Sequence, residues 1–203
     1  MTNNSSTGGY LLTENSPLPA PLEGQALLDF FQAYFSGITT IPGDLIFPRW
    51  QPNPPVMPTV SVDWMAFGIT ERTGENIADS FHVSNNAYNP PEFDVVIRNE
   101  NITFLVSIYG PNAEANASIL REGISVAQNR EILQENGIGF VSFSAIQPVP
   151  ALVNNIWYYR TDMSITFRRH IVRAYAILDL LSAQGTLQTD IPPITRTFTI
   201  TNS

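Results

Sequence analysis

The chain has 203 residues and a mass of 22.5 kDa, with 43% hydrophobic and 14% charged residues. That composition excludes general disorder and allows one ordinary core, of the kind that buries roughly 70% of the unfolded surface. Cysteine is absent, which removes disulfides, thiolate metal sites and cysteine nucleophiles together, and the net charge of −8 disfavours tight binding to phosphate backbones.

Residues 1–21 read as a flexible polar arm. Met1 to Gly9 has neither the basic start nor the apolar stretch of a secretory signal, so cytosolic synthesis is expected, and no apolar run approaches the ~18 residues of a membrane-spanning helix. Residues 22–203 are expected to form a single α/β domain. Leu27, Phe30, Phe31, Tyr34 and Phe35 repeat at helical spacing and predict a helix from Leu22 to Ser36, with Gly37 as its stop. Pro42 to Pro58, around Trp50, reads as an extended loop. From Thr59, Val60, Val62, Trp64 and Ala66 alternate with Met65, Phe67 and Ile69, which predicts a central strand apolar on both faces.

Glu71 to Asp79 suits a turn, Ser80 to Tyr88 a strand, and Asn89-Pro90-Pro91 a break. Phe93 to Arg98 and Ile102 to Tyr109 are predicted as two antiparallel strands around a hairpin tip at Arg98 to Asn101. Asn112 is placed to cap one long helix that closes at Gly137, its apolar stripe running through Ile119, Leu120, Ile124, Val126 and Leu133. Gly123 in its middle suggests a close approach to the sheet. Ile138 to Ile146 reads as a strand.

Ile156 to Tyr175 is the longest alternating pattern. Trp157, Tyr159, Met163, Ile165, Phe167, Ile171 and Tyr175 share one face, and Tyr158, Arg160, Asp162, Ser164, Thr166, Arg168 and His170 share the other. Such a strand, roughly 65 Å at about 3.3 Å per residue, must bend, bulge or project as a ribbon. Ala176 to Ala183 is a short apolar piece, Pro192-Pro193 a break, and Thr195 to Thr201 a last edge strand. The fold class is therefore α+β, a mixed or antiparallel sheet packed by two main helices, with a long β-ribbon near the C-terminus.

Sites of chemistry are scarce. His82 and His170 lack metal-ligand spacing, and there is no phosphate-binding glycine motif and no nucleophile elbow. Asp63, between Val62 and Trp64, is the best candidate for one of a pair of catalytic carboxylates, against an ion pair to arginine or an edge position. No catalytic, cofactor or metal residue is assigned. All ten basic residues are arginine, a residue suited to rigid, bidentate contacts. Arg160, Asp162, Arg168 and His170 share one strand face and are the candidates for an intersubunit ion-pair strip, against cross-strand pairs on a solvated face. A carbohydrate-binding module or hydrolase would use Trp50, Trp64 and Trp157 as sugar platforms, but alternation favours core packing for the last two.

The order of helix, Pro-rich loop, strands, long helix, strand, long ribbon, short apolar piece and edge strand resembles the tail-terminator proteins of tailed phages. Ile156 to Phe167, followed by Arg168 to Gly185, is similar to the neck-terminator group of contractile-tailed phages, which shares an aromatic-rich strand with Arg and Asp before a last apolar segment. The resemblance implies a non-enzymatic virion protein of the neck that forms a ring, a homohexamer, on the head-proximal end of the tail tube. That ring would end tube polymerisation and join the tail to the head-completion protein, with the sheath as a further neighbour and DNA only passing through its lumen. A stopper or adaptor of the same neck is the alternative.

Overall fold

Helix α1 (Gly24–Thr39) carries the expected stripe, with Leu27, Phe31, Tyr34 and Phe35 buried. The computed structural model describes residues 18–75, 77–83, 92–177, 182–188 and 195–201. The helix runs through Gly37 and turns only at Thr40, which takes the left-handed conformation at φ 62°. The expected stop fails for a tertiary reason. Ile38, the next residue, lies directly over Gly123 of a later helix, and burial there outweighs the ~1 kcal/mol that a helical glycine costs.

Eleven strands follow among the described residues: β1 (Ile46–Pro48), β2 (Trp64–Gly74), β3 (Asp79–Val83), β4 (Glu92–Tyr109), β5 (Ile138–Phe143), β6 (Gln147–Pro148), β7 (Ala151–Val153), β8 (Ile156–Tyr158), β9 (Arg160–Ile177), β10 (Ser182–Gln188) and β11 (Thr195–Thr201). Helices α2 (Ala113–Ser125) and α3 (Ala127–Glu135) separate β4 from β5. The main sheet is mixed and runs β1-β2-β4-β9-β5, with β6 also on β9. β1 is parallel to β2, while β2–β4 and β5–β9 are antiparallel. The α+β class and the long ribbon therefore hold, but the helices number three among the described residues.

Period two decides which side chains enter the core. Met65 and Phe67 of β2, Ile102, Phe104, Val106 and Ile108 of β4, and Met163, Ile165 and Phe167 of β9 are all buried in one cluster with α1. Phe31 meets the rings of Phe104 and Phe167 at centroid distances of 4.3 and 4.9 Å, and Phe35 meets Phe67 edge-on at 5.3 Å. Ala117, Leu120 and Ile124 of α2 and Leu133 of α3 complete the cluster.

Several sequence expectations are corrected. Residues 98–101 form no hairpin tip, because β2 continues to Gly74 and pairs Thr73 with Asn101 and Gly74 with Glu100. A ladder partner thus keeps polar residues extended where local propensity suggests a turn, and the turn expected from Glu71 to Asp79 shrinks accordingly. The strand expected from Thr59 begins at Trp64, after a turn closed by Val62 N donating to Thr59 O. The Pro-rich loop is not wholly irregular: Gln32 donates to the carbonyls of Gly43 and Ile46 at 2.7 and 2.9 Å, which anchors a short 3-10 turn and β1 to α1.

The long helix is two helices, broken where Val126 becomes extended at ψ 128° and its N–H returns to Gly123 O. Asn129 donates to the same carbonyl. Gly123 packs closely against α1 and not against the sheet: a Cβ there would collide with Ile38. The strand expected to Ile146 ends at Phe143. The strand expected from Ile156 is two strands parted at Tyr159. β7 and β8 form their own two-stranded hairpin, turned by Asn154 and Asn155 at φ 50° and 61°, the positive-φ pair that a two-residue hairpin turn requires.

Contacts divide the chain into two compact units. Ala20–Asp79 with Ile97–Val172 hold the helices and the core described above. The other includes Ser80–Val96 and Arg173–Ser203. In it β3 pairs with the start of β4, and β10 pairs antiparallel with β11, which has the bounds expected for the last strand. The first seventeen residues of the polar arm, Asn89-Pro90-Pro91, Pro192-Pro193 and the centre of the Ala176 to Ala183 piece lie outside the described residues.

Phe31→Ala should lower unfolding stability by about 3–5 kcal/mol, the usual cost of removing a buried phenylalanine, read as a shift of the urea midpoint. The Tyr34 hydroxyl is buried without a hydrogen-bond partner among the described residues, and burial pushes its pKa up to about 12 against the pull of Arg130. The fold favours the neutral phenol, so its stabilising contribution is complete below pH 10 and is lost as pH rises from 10 to about 12. Tyr34→Phe should be as stable as the parent or more so at pH 7, and its stability should fall less across that alkaline window.

Candidate functional site

Alternation along β9 sends Thr161, Met163, Ile165, Phe167, Arg169 and Ile171 inward and leaves Arg160, Asp162, Arg168 and His170 on the other face. The shared face predicted for these four is present, but they fall into two groups.

At one end, Arg160 and Asp162 form a two-point fork, Nε to Oδ1 at 2.7 Å and Nη2 to Oδ2 at 2.6 Å. The pair is largely buried, with side chains 23% and 14% exposed. Ser107 of β4 donates to Asp162, and Arg49, just past β1, donates to Ser107. The Arg160 guanidinium also sits 5.6 Å from the centre of the Tyr109 ring, and Tyr109 stacks on Trp64 at 3.9 Å. Hydrogen bonding to Asp162 holds the Arg160 pKa above its ordinary value, against desolvation. A line of charge and stacking thus crosses strands β2, β4 and β9 on the face opposite Phe31.

At the other end, Arg168 donates to Glu75 at 2.9 Å, with both side chains about half exposed. The imidazole Nδ1 of His170 lies 3.0 Å from Asn99 Oδ1, and Asn99 also donates to Glu75. This is a solvated cross-strand cluster, the kind of pairing worth about 0.2–1 kcal/mol.

Asp63 makes no arginine bridge among the described residues. Its carboxylate accepts from the backbone N and the side-chain amide of Asn112, both at 2.9 Å. Asn112 is the N-cap residue of α2, as expected, but its side chain makes no capping hydrogen bond. Asp63 instead fixes the chain as it enters that helix. His82 Nδ1 lies 3.1 Å from Asp94 Oδ1 on the β3–β4 pair. Among the described residues no three His, Asp or Glu side chains gather as metal ligands, and no helix is long and apolar enough to cross a membrane.

The tryptophans do not act as one platform. Trp64 is 7% exposed, as expected for a core residue, whereas Trp50 is 69% and Trp157 63% exposed. Trp157 departs from its predicted core position because it belongs to the separate β7–β8 hairpin and not to β9. Trp50 folds back over β2, where a Cβ on Gly68 would lie 2.6 Å from its ring. With Phe47, Pro54, Val56, Trp64 and Ala66 it lines a cleft of about 330 Å3 in which Arg49 is the one ionisable lining residue.

Sequence reasoning overlooked Arg169, which is 4% exposed. It donates to Glu100 and to the carbonyl of Leu22 and lies 3.4 Å from Glu23, so it ties the start of α1 to β4 and β9. A signal was present: Arg169 has the parity of Phe167 and Ile171, and a charge on an apolar strand face needs a partner. Ser107, Asn99 and Glu75 carried no such mark.

Asp162→Ala should cost the folded subunit about 2–3 kcal/mol, since it strands a partly buried guanidinium. Arg168→Ala should stay within about 0.5 kcal/mol, as exposed substitutions do. Thermal unfolding of the two variants measures this difference, so a loss of assembly in Arg168→Ala would report a contact between copies free of a folding defect.

No curated protein matches the chain. A family model described as phage neck terminator protein matches residues 25–191.

Proposed function

The chain belongs to the phage neck terminator family, and on that premise we propose that it forms a closed homohexameric ring on the head-proximal end of the tail tube. Membership gives it a structural place in the neck of the virion, in association with tail and head components. The ring ends polymerisation by occupying the surface onto which the next layer of tube subunits would add. Its opposite side receives the head-completion connector, and the sheath abuts its rim. The single observation that carries this reading is the family match over residues 25–191.

The mechanism is steric and electrostatic. Arg168 and His170 are exposed with single, solvated partners, so they can exchange those partners for groups of a neighbouring copy at little cost. The Arg160–Asp162 fork stiffens the same strand face behind them. A net charge of −8 repels DNA and keeps it moving through the lumen.

Particles assembled without this protein should carry tails of irregular length that do not join heads, as seen by electron microscopy. Purified protein added to growing tubes should stop their elongation, and light scattering across a wide concentration range should detect a closed species of about ring mass. Tails of uniform normal length in its absence would overturn the reading. Normal tails joined to heads that leak DNA would mark a stopper instead.

A further inference from the structure

Two exposed apolar features lie on the same compact unit. One is the β7–β8 hairpin. Its register sets Leu152 directly opposite Trp157, so these two side chains share one face. They are 55% and 63% exposed, and Tyr159 beyond them is 73% exposed. The other face carries Tyr158, whose hydroxyl reaches the Pro58 carbonyl at 3.5 Å. The hairpin therefore rests one face on the Pro-rich segment and turns its aromatic face away from it.

The second feature is the cleft of about 330 Å3 that the same Pro-rich segment closes over Trp64 and Ala66. Val56 is 92% and Trp50 69% exposed along it. Pro54, Pro55 and Pro58 stiffen its wall, so little conformational freedom remains to be lost when it is filled. Trp64 is more than nine-tenths buried, and its Nε1 has no hydrogen-bond partner among the described residues. Its size is that of a small ligand site, on the order of 300 Å3, enough for an aromatic side chain.

We infer that the Leu152–Trp157 face of one copy docks in the Pro-rich cleft of the next, as the head-to-tail contact of the ring. This rests on the ring reading proposed above. A knob and a hole at different places on one chain make a heterologous contact, which closes into a ring when its rotation allows. Charge favours a second copy of this chain as the occupant. Copies of net charge −8 repel one another, whereas residues 151–159 contain no charged side chain and the one ionisable residue lining the cleft is a cation, Arg49. Contact between copies is thus placed where that repulsion is weakest, with Trp157 as a buried aromatic anchor.

The natural absence of cysteine makes the test direct. Leu152→Cys and Val56→Cys, both at exposed positions, are prepared as separate variants of the full chain and treated with a short bismaleimide, alone and mixed, with and without tail tubes. The mixture should yield a cross-linked dimer that neither variant gives alone, and the double variant should yield a ladder ending at the ring. Adding Trp157→Ala to the hairpin variant should lower the mixed yield about tenfold or more, as loss of an anchoring aromatic does. Self-linking of either single variant to the same extent, or no mixed product in either condition, overturns the contact. Capping of tubes by the parent protein is scored in parallel. Capping without the mixed cross-link removes the docking contact alone, whereas the mixed cross-link without capping removes the terminator reading alone.

Discussion

Phe31 fills the space between Phe104 and Phe167, and through that contact helix α1 is seated on the two longest strands of the sheet. A buried phenylalanine contributes about 1.5–3 kcal/mol through burial, and each ring pair adds about 0.5–1.5 kcal/mol. The two strands differ greatly in sequence position, so the helix links the first and last thirds of the main unit. Arg169 repeats that linkage in polar form a little further along, holding Leu22 O and Glu100 from β9. A buried guanidinium is tolerable only because each of these acceptors is in place.

Once one face of the sheet is committed to α1, period two commits the other. Tyr109, Ser107, Asp162 and Arg160 have no choice but to meet on the reverse, and there they satisfy one another by stacking and charge-assisted hydrogen bonds. This two-point ion pair is thereby satisfied within the subunit. What stays exposed on the same unit is of two kinds, groups whose intrachain bonds are weak, such as Arg168, and apolar side chains such as Leu152 and Trp157. On the ring reading proposed above this division is physically consistent, since copies of an acidic chain repel one another least where they carry no acidic groups.

The departures from the sequence expectations have two origins. Arg98 to Asn101 has the polarity of a turn, yet it stays extended because β2 is long enough to hydrogen-bond it. Gly37 has the signature of a helix end, yet Ile38 is held in helix by Gly123. Trp157 has the parity of a core residue, yet Asn154 and Asn155 turn its strand into a separate hairpin. In the first two cases a local preference worth about 1 kcal/mol or less met a tertiary contact worth more, whereas the third turns on a local two-residue hairpin.

Residue types and their spacing were enough to establish the α+β class, the buried faces of α1, β4 and β9, the last edge strand, and the common face of Arg160, Asp162, Arg168 and His170. These follow from periodicity, which is a property of the chain alone. Which of those four would be tied down by Ser107 and Tyr109, and which by Glu75 and Asn99, depended on strand order and register. The same is true of the cleft beneath Trp50. Strand neighbours come from distant parts of the chain, and their pairing is chosen by the summed burial of the whole core, which no single stretch of sequence encodes.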